Sequence, residues 1–220
     1  MNDLFENEKV GSRERLGNDA FVLKGFSLAI ADDLLATVAV IETISPFRHM
    51  MTPGGFTMSV ALTNCGQLGW TSDRRGYRYT SVDPITGNPW PTMPTQFLEL
   101  AQAAANEVGF ADFIPDACLI NRYVPGTKLS LHQDKDEQDL GAPIVSVSLG
   151  IPAVFQFGGF ERSDPKTKTP LFHGDVVVWG GADRLRYHGI LPIKNNTHST
   201  LGEQRINLTF RKASFSELKS

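Results

Sequence analysis

The segment KLSLHQD carries two side chains that could bind a metal ion, His132 and Asp134. They are two residues apart, so on a β-strand both point to the same side. A further histidine, His188, ends the run RLRYH. Two imidazoles and one carboxylate on one side of an ion form a facial triad, which suits non-haem Fe(II) and leaves coordination positions open for a cosubstrate and O2. The pattern therefore predicts a catalytic iron site on His132, Asp134 and His188.

An HxD pair is a weak signal by itself, because such a short spacing arises by chance in many chains. The remaining histidines, His49, His173 and His198, have no carboxylate at ligand spacing, and we assign them to surface or structural positions. The iron site therefore needs support from a second feature.

The segment RINLTFR supplies that support. It alternates polar and apolar residues, which is typical of a strand with one face packed on a core. The polar face comprises Arg205, Asn207, Thr209 and Arg211, and the apolar face comprises Ile206, Leu208 and Phe210. Two arginines facing the interior would be costly to desolvate unless they meet anions, and the planar guanidinium suits carboxylates. Because 2-oxoglutarate carries two carboxylates, we predict that Arg205 and Arg211 hold it. The alternative is an exposed edge strand with solvated arginines.

A second segment, ACLINRYV, agrees with this site. Asn121 and Tyr123 share one face of the predicted strand, while Ile120 and Arg122 share the other. Asn121 and Tyr123 are neutral hydrogen-bond donors that could complete the same carboxylate site.

Composition sets broader limits. A chain of 220 residues with 41% hydrophobic and 20% charged residues is typical of one soluble globular domain. The net charge of −3 gives no attraction of the whole protein to nucleic acid, so any such contact must be local. The stretch SDRRGYRYTS is a local candidate, since it mixes arginines with Tyr77 and Tyr79. No apolar surface stripe indicates association, and we expect a monomer.

The N-terminal residues MNDLFENEKV lack the apolar segment of a secretory signal, and no apolar run approaches the roughly 20 residues that span a bilayer. We expect a cytoplasmic protein without a membrane partner. Cys65 and Cys118 show no C-x-x-C spacing, and we expect both to be reduced and structural.

Two amphipathic helices are predicted, one over residues 27–44 with Ser27 as its cap and one over residues 95–109. Between them, residues 46–93 are rich in Gly, Pro, Thr and Asn, with a short strand candidate at Phe56–Leu62. This stretch is too irregular for core and fits a binding lid.

From residue 116 onward, short apolar runs alternate with turn residues. They are ACLINRYV, KLSLHQD, IVSVSLG, AVFQFG, DVVVWG, RLRYHGI and RINLTFR. Closely spaced strands of this kind favour a sandwich or barrel, with the helices packed on one face.

With these segments in place, the sequence resembles the AlkB family of alkylated-nucleobase dioxygenases. The matching pieces are NRY at 121–123, HQDKDE at 132–137, the histidine of RYHGI at 188, and RINLTFR at 205–211. Similarity extends through TPGGFTMSVALTNCGQLGW and GYRY, so it covers most of the chain beyond about residue 45.

The resemblance implies a mainly β fold with flanking helices (α+β), a double-stranded β-helix or jelly roll. It implies one dioxygenase domain over 1–220, with a nucleotide-recognition lid over 46–93 and a catalytic core over 116–211. Fe(II) is expected on the triad, and 2-oxoglutarate is expected near Asn121, Tyr123, Arg205, Asn207 and Arg211. The family's substrate contacts fall on Trp70, Tyr77, Tyr79, Asp136 and Arg162.

The resemblance also implies an activity, the oxidative demethylation of N1-methyladenine and N3-methylcytosine in single-stranded DNA or RNA. The reaction uses O2, decarboxylates 2-oxoglutarate to succinate and CO2, and releases formaldehyde. These methylated bases are cationic, which suits the aromatic face of Trp70 and the carboxylate of Asp136. The methyl group is inaccessible in a duplex, so the base must be single-stranded or flipped out. Tyr77, Arg78 and Tyr79 could hold the flanking backbone.

Two alternatives stay open at this point. One is a jelly-roll dioxygenase that acts on a small molecule or a protein side chain. The other is a non-catalytic, cupin-like module with a structural metal, although this reading leaves Arg205 and Arg211 without partners.

Overall fold

The computed structural model describes residues 10–215. The helices are α1 (Ala31–Ile44) and α2 (Thr95–Glu107), with short 3-10 helices at Leu28–Ile30 and Gly181–Asp183. The strands are β1 (Arg13–Arg15), β2 (Ala20–Leu23), β3 (Ala61–Gly66), β4 (Gly69–Asp73), β5 (Gly76–Thr80), β6 (Ala117–Tyr123), β7 (Leu129–His132), β8 (Ile144–Gly150), β9 (Ala153–Phe157), β10 (Thr167–Leu171), β11 (Val176–Trp179), β12 (His188–Ile190) and β13 (Arg205–Arg211).

Most strands belong to two antiparallel sheets. The larger sheet has the order β1-β2-β11-β8-β13-β6-β3, and the smaller sheet has the order β10-β9-β12-β7. Partners are often far apart in sequence, as where β13 lies between β8 and β6. The two sheets enclose a cavity that is lined by residues of both. This arrangement is the jelly roll, so the predicted fold class is confirmed. Strands β4 and β5 form a separate hairpin.

Strand β13 runs through the middle of the larger sheet, and its two faces meet different surroundings. Ile206, Leu208 and Phe210 belong to the apolar core that also contains residues of both helices. The opposite face lines the cavity with Arg205, Asn207, Thr209 and Arg211. Every residue of the strand is buried, so the alternative of an exposed edge strand is wrong. The helices cover one face of the sheet and leave the other face for polar groups.

The neighbouring strand β8 follows the same alternation. Val145 and Val147 pack in the core beneath the helices. On the other face, Ser146 accepts from the Asn207 amide and Ser148 accepts from the Arg205 guanidinium. Asn207 is paired in register with Ser148 on β8 and with Asn121 on β6. The register therefore gathers polar side chains from three strands on the inner face of the sheet.

The first helix begins later than predicted. Residues Leu28–Ile30 form a 3-10 turn and the α-helix starts at Ala31. The prediction that Ser27 caps the helix is wrong, because its hydroxyl donates to the carbonyl of Gly174 instead. Ser27 is fully buried, and its hydrogen bond to the distant turn at Gly174 replaces the local cap. The second helix ends at Glu107, two residues before Gly109, whose φ of 94° is incompatible with continuation.

Residues 46–93, the predicted lid, contain a core strand that the sequence analysis does not predict. Strand β3 is buried along its whole length and pairs with β6, so the expected strand at Phe56–Leu62 is displaced. Its polar residues are satisfied locally. Asn64 exchanges two hydrogen bonds of 3.0 Å with the main chain of Trp70, and Thr63 donates to the carbonyl of Ser45. These bonds allow a polar segment to lie in the core.

Other boundaries differ as well. The patterns do not predict β1, β2, β4, β5 and β10, and of the run RLRYHGI only His188–Ile190 is a strand. The sequence TKTPL of β10 is largely polar because it lies at the edge of the smaller sheet, a position that tolerates Pro170.

The two cysteines are free and buried, as predicted. Cys65 on β3 lies directly opposite Cys118 on β6, a proximity that their separation in sequence conceals. Within residues 10–215, no helix is long and apolar enough to cross a membrane. The prediction about a secretory signal concerns residues 1–10, of which only residue 10 lies within the described part.

The position of Leu208 gives a test of this fold. Its side chain is fully buried between Val147 and Ile120, so Leu208→Ala should lower the free energy of unfolding by about 2–5 kcal/mol, measured by urea denaturation. Val40→Ala is the control, since Val40 on α1 is 60% exposed and should change stability by less than about 0.5 kcal/mol. Equal effects of the two substitutions would contradict this packing.

Candidate active site

The predicted metal ligands come together on the smaller sheet. His132 on β7 and His188 on β12 are partners in register, with ring centroids 4.4 Å apart. Asp134 lies two residues beyond His132, where β7 has ended. One ligand atom from each of the three residues lies within 4.8 Å of the others, a spacing that a single ion can bridge. Among residues 10–215, these three residues form the one cluster of His, Cys, Asp or Glu side chains that is close enough together to hold a metal ion.

Main-chain carbonyls orient both imidazoles. Nδ1 of His132 lies 2.9 Å from the carbonyl of Ser130, and Nδ1 of His188 lies 3.0 Å from the carbonyl of Arg186. Because a carbonyl can only accept, each Nδ1 donates its proton and Nε2 keeps its lone pair for a ligand. Burial, together with the neighbouring His132, lowers the pKa of His188 and keeps that imidazole neutral. Both Nε2 atoms lie near Asp134, at 3.5 and 3.6 Å from its oxygens.

Asp134 is held as a carboxylate by Arg211. Nε and Nη2 of Arg211 donate to Oδ2 of Asp134 at 3.1 and 2.8 Å. Burial alone would raise the pKa of Asp134, but the Arg211 guanidinium outweighs it and holds the pKa well below its usual range. Arg211 also lies 3.3 Å from Oε1 of Glu137. This arginine is therefore matched by two carboxylates of the protein itself.

Among residues 10–215, no carboxylate pairs with Arg205. It is 1% exposed, and its Nη2 donates to the Ser148 hydroxyl at 2.9 Å. Within the described residues, Nε and Nη1 of Arg205 and the hydroxyl of Tyr123 find no hydrogen-bond partner. The guanidinium lies 4.9 Å from the centroid of the Tyr123 ring. Burial lowers the pKa of Arg205, as expected for a cation without a carboxylate beside it. A ligand carboxylate fits these donors.

The two asparagines form part of the wall between these arginines. Asn207 donates through Nδ2 to the Ser146 hydroxyl and to the Val147 carbonyl, both at 2.8 Å. Its Oδ1 accepts from the Thr209 hydroxyl at 3.0 Å. Asn121 lies at the limit of a hydrogen bond, with Nδ2 3.5 Å from Oδ1 of Asn207. The hydrogen bonds of Asn207 thus order the wall of the cavity.

A single cavity of about 540 Å³ joins the metal-ligand cluster to the unpartnered arginine. It is lined by all three triad residues and by Asn121, Tyr123, Arg205, Asn207 and Arg211. The predicted substrate residues Trp70, Tyr77, Asp136 and Arg162 line it as well. Its volume is sufficient for a dicarboxylic acid together with a nucleobase.

An aromatic pair stands beside a carboxylate in this cavity. The rings of Trp70 on β4 and Tyr77 on β5 are stacked, with centroids 5.4 Å apart and planes 18° apart. Nε1 of Trp70 donates to Oδ2 of Asp136 at 3.1 Å. Arg162 donates to the Leu131 carbonyl and lies 5.1 Å from the Tyr187 ring. These contacts bring aromatic, anionic and cationic groups together within one cavity.

Two predicted substrate residues do not line the cavity. Tyr79 donates to Oε1 of Glu137 at 2.7 Å. Arg78 lies on the other face of the hairpin, because side chains alternate along β5, and there it forms a bidentate pair with Asp73 at 2.9 and 2.6 Å. Both residues thus stabilise the hairpin rather than face the cavity.

Three further residues escape the sequence analysis. Trp179 is 2% exposed, with its ring centroid 4.8 Å from that of His188, and no described residue accepts from its Nε1. Glu137 and Arg184 form a buried ion pair with a distance of 3.2 Å. Glu137 could have been identified from the sequence, because it is the third acidic residue of HQDKDE. Nothing in the run RLRYH indicates that its first residue, Arg184, is buried.

Comparison with known proteins places the chain in a family. Residues 20–211 match the model of the 2OG-Fe(II) oxygenase superfamily. The alpha-ketoglutarate-dependent dioxygenase AlkB of Salmonella typhimurium is 58% identical over 99% of this chain and 100% of its own length. The corresponding protein of Escherichia coli is 57% identical over 97% of this chain and 98% of its length.

The solved structure of OsALKBH1 superposes with a TM-score of 0.77 at 29% identity, covering 90% of this chain and 100% of that one. The fold, the facial triad and the extent of sequence identity agree. The chain therefore belongs to the 2OG-Fe(II) oxygenase superfamily and, within it, to the AlkB dioxygenases.

Proposed function

We propose that this enzyme demethylates N1-methyladenine and N3-methylcytosine in single-stranded or flipped-out DNA, with His132, Asp134 and His188 as its iron ligands. The chain is an Fe(II)- and 2-oxoglutarate-dependent dioxygenase whose activity is the oxidative dealkylation of nucleic-acid bases. The observation that supports the specific substrate and ligands is that three groups share one cavity. The metal-ligand cluster, the unpartnered Arg205 and the stacked pair of Trp70 and Tyr77 all line it.

The donor set fits the implied metal. Two neutral imidazole nitrogens and one carboxylate oxygen suit Fe(II) and leave positions for further ligands. When bound together, Fe(II), 2-oxoglutarate and O2 supply the oxidation of the N-methyl carbon, and succinate and CO2 are the coproducts. The hydroxylated methyl group then leaves the base as formaldehyde. Direct reversal of the damage follows, without excision of the nucleotide.

The cosubstrate is anchored by Arg205 in this proposal. A distal carboxylate would satisfy Nε and Nη1 of Arg205 and the hydroxyl of Tyr123, which find no partner among the described residues. Arg211 lines the same cavity and stays the second predicted contact of 2-oxoglutarate, and its ion pairs with Asp134 and Glu137 also fix the carboxylate that binds iron. Asn121 and Asn207 line the cavity between the two arginines.

The methylated base is recognised by its positive charge and its flat ring. Trp70 and Tyr77 offer aromatic faces to a cation, and Asp136 holds the indole while it adds negative charge beside it. A small-molecule substrate would not require this combination of an aromatic pair and a carboxylate. Tyr79 and Arg78 support the base indirectly, because they anchor and stiffen the hairpin that carries Trp70.

Local cations would compensate for the unfavourable net charge of −3. Lys128, Lys135 and Arg162 line the same cavity and are available to flanking phosphates. We further propose that the protein acts as a monomer in the cytoplasm, a reducing compartment consistent with the free pair of Cys65 and Cys118.

Asp134→Ala tests the ligand assignment. Loss of the anionic ligand should reduce formaldehyde release from a methylated single-stranded oligonucleotide by more than about 100-fold, since substitution of outer-shell partners alone costs 10–100-fold. Asp33→Ala, at an exposed position on α1, is the control and should retain full activity. Undiminished release from the Asp134 variant would rule out Asp134 as an iron ligand.

Arg205→Ala tests the cosubstrate anchor. The variant should bind 2-oxoglutarate about 100-fold more weakly in calorimetry with Mn(II), because hydrogen bonds to charged groups contribute roughly 1.5–3 kcal/mol each. The dissociation constant for the methylated oligonucleotide should change little. Arg205→Lys keeps the charge without the planar fork, so its affinity for 2-oxoglutarate should lie between those of Arg205→Ala and the wild type. Equal losses for cosubstrate and DNA would mean that Arg205 serves another purpose.

Trp70→Ala tests base recognition. Removal of the aromatic face should raise KM for the methylated oligonucleotide by about tenfold or more, given that stacking contributes roughly 1–3 kcal/mol per base. Uncoupled decarboxylation of 2-oxoglutarate, measured without DNA, should remain close to the wild-type rate. Trp70→Phe should recover part of the loss. A lowered uncoupled rate with unchanged KM would remove Trp70 from the base site.

A further inference from the structure

The buried ion pair between Arg184 and Glu137 has no part in the reaction as described so far. Arg184 is 3% exposed and Glu137 is 7% exposed. Such a pair is expensive to desolvate, and replacement by apolar residues often leaves stability unchanged or improves it. Its presence beside the iron ligands therefore calls for a reason other than stability.

All three nitrogens of the guanidinium hold one segment of the chain. Nη1 donates to the main-chain carbonyl of Asp134 at 2.7 Å, Nη2 to Oε2 of Glu137 at 3.2 Å, and Nε to the carbonyl of Ala142 at 3.0 Å. Residues 133–143 connect β7 to β8 and contain neither helix nor strand. The Asp134 carbonyl thus lies outside any sheet ladder, and Arg184 satisfies it. Buried main-chain carbonyls without a partner are rare, so this bond fixes the backbone of the ligand.

The same arginine lies close to another ligand. It directly follows the 3-10 helix Gly181–Asp183 and precedes His188 by four residues. Arg184 therefore ties the segment that carries Asp134 to the turn that leads into His188. Because Asp134 itself belongs to no strand, connections of this kind fix its distance from His188.

Glu137 extends the connection to the hairpin of β4 and β5. Its Oε1 accepts from the Tyr79 hydroxyl at 2.7 Å and lies 3.3 Å from Nε of Arg211. Its neighbour Asp136 accepts from the Trp70 indole. The segment 133–143 thus bears an iron ligand together with both contacts to the hairpin.

We propose that Arg184 is a positioning residue: by holding the Asp134 carbonyl and Glu137, it sets the position of the Asp134 carboxylate relative to His188 and couples this ligand to the hairpin. The proposal rests on the assignment of Asp134 as an iron ligand in the proposed function. A positioning role predicts that metal affinity falls when Arg184 is changed, even in the absence of turnover.

The test uses two variants of the full chain. In Arg184→Lys an ammonium can pair with Glu137 but cannot reach the Asp134 and Ala142 carbonyls together. The double variant Arg184→Met with Glu137→Gln removes both charges, so no unpaired buried charge prevents folding. The matched control is Arg48→Met with Asp83→Asn. It removes a bidentate, partly buried pair whose two distances are 2.6 and 2.8 Å and which does not line the cavity.

The readout is the dissociation constant for Mn(II), measured by electron paramagnetic resonance without 2-oxoglutarate or DNA, alongside the melting temperature. Both Arg184 variants should bind Mn(II) about tenfold or more weakly than the control, as expected for loss of an outer-shell partner. Arg184→Lys should retain more affinity than the double variant. A loss that exceeds the control by less than about threefold would overturn the proposal, whatever the melting temperature, because outer-shell effects are larger.

Asp134→Ala is measured in parallel to separate two failures. If it loses Mn(II) binding while the Arg184 variants behave like the control, the ligand assignment stands and the positioning role of Arg184 is overturned. If Asp134→Ala binds Mn(II) as tightly as the wild type, the ligand assignment itself fails, and the role of Arg184 fails with it.

Discussion

Two guanidinium groups lie on the inner face of β13, and the site depends on how each is compensated. Arg211 faces Asp134 and Glu137, two carboxylates of the protein. Arg205 is also buried, but among residues 10–215 it donates to the Ser148 hydroxyl and pairs with no carboxylate. An uncompensated buried cation destabilises the folded state by several kcal/mol, whereas a paired cation recovers much of that desolvation cost from its partner. The protein thus retains an unfavourable charge at one end of the cavity, which a dicarboxylic cosubstrate would neutralise.

This asymmetry links binding of the cosubstrate to stability. A ligand that pairs with Arg205 in the folded state alone stabilises that state in proportion to the logarithm of its concentration over Kd. The scaffold tolerates the charge because the rest of β13 is strongly held. Its apolar face packs under both helices, and its backbone is paired on both sides. The outer face of the sheet therefore supplies the stability that the inner face uses for recognition.

The alternation of RINLTFR predicts this division, because a strand with period two has only two faces and the apolar one must pack. The HxD spacing likewise predicts that His132 and Asp134 share a side. Both inferences rest on local geometry. The distinction between Arg205 and Arg211 does not follow from the sequence, since it depends on Asp134 and Glu137 folding back from a segment without regular structure.

Other misses have the same origin. Strand β3 contains Thr63 and Asn64, whose polarity indicates a surface loop until their tertiary hydrogen bonds are known. Ser27 precedes an apolar helical pattern and so resembles a cap, yet a turn more than a hundred residues away accepts its proton. Arg78 belongs to a basic and aromatic stretch, but Asp73, five residues earlier, pairs with it across the hairpin. In each case, a partner that the local pattern does not reveal decides the role of a polar residue.

The segment between β7 and β8 has two structural roles. It must hold Asp134 to within a few tenths of an ångström of a productive position, and it must also carry the contacts to the Trp70 hairpin. An irregular segment has no ladder to fix it, so rigidity has to come from side chains that bind its main chain. Arg184 provides this from the turn before His188, whereas Arg211 on β13 holds the side-chain carboxylate of Asp134. Because the hairpin and the iron ligand share one support, a displacement of the hairpin at Glu137 would be transmitted to the metal. In the proposed function, recognition of the base and the geometry of the metal site are therefore mechanically connected.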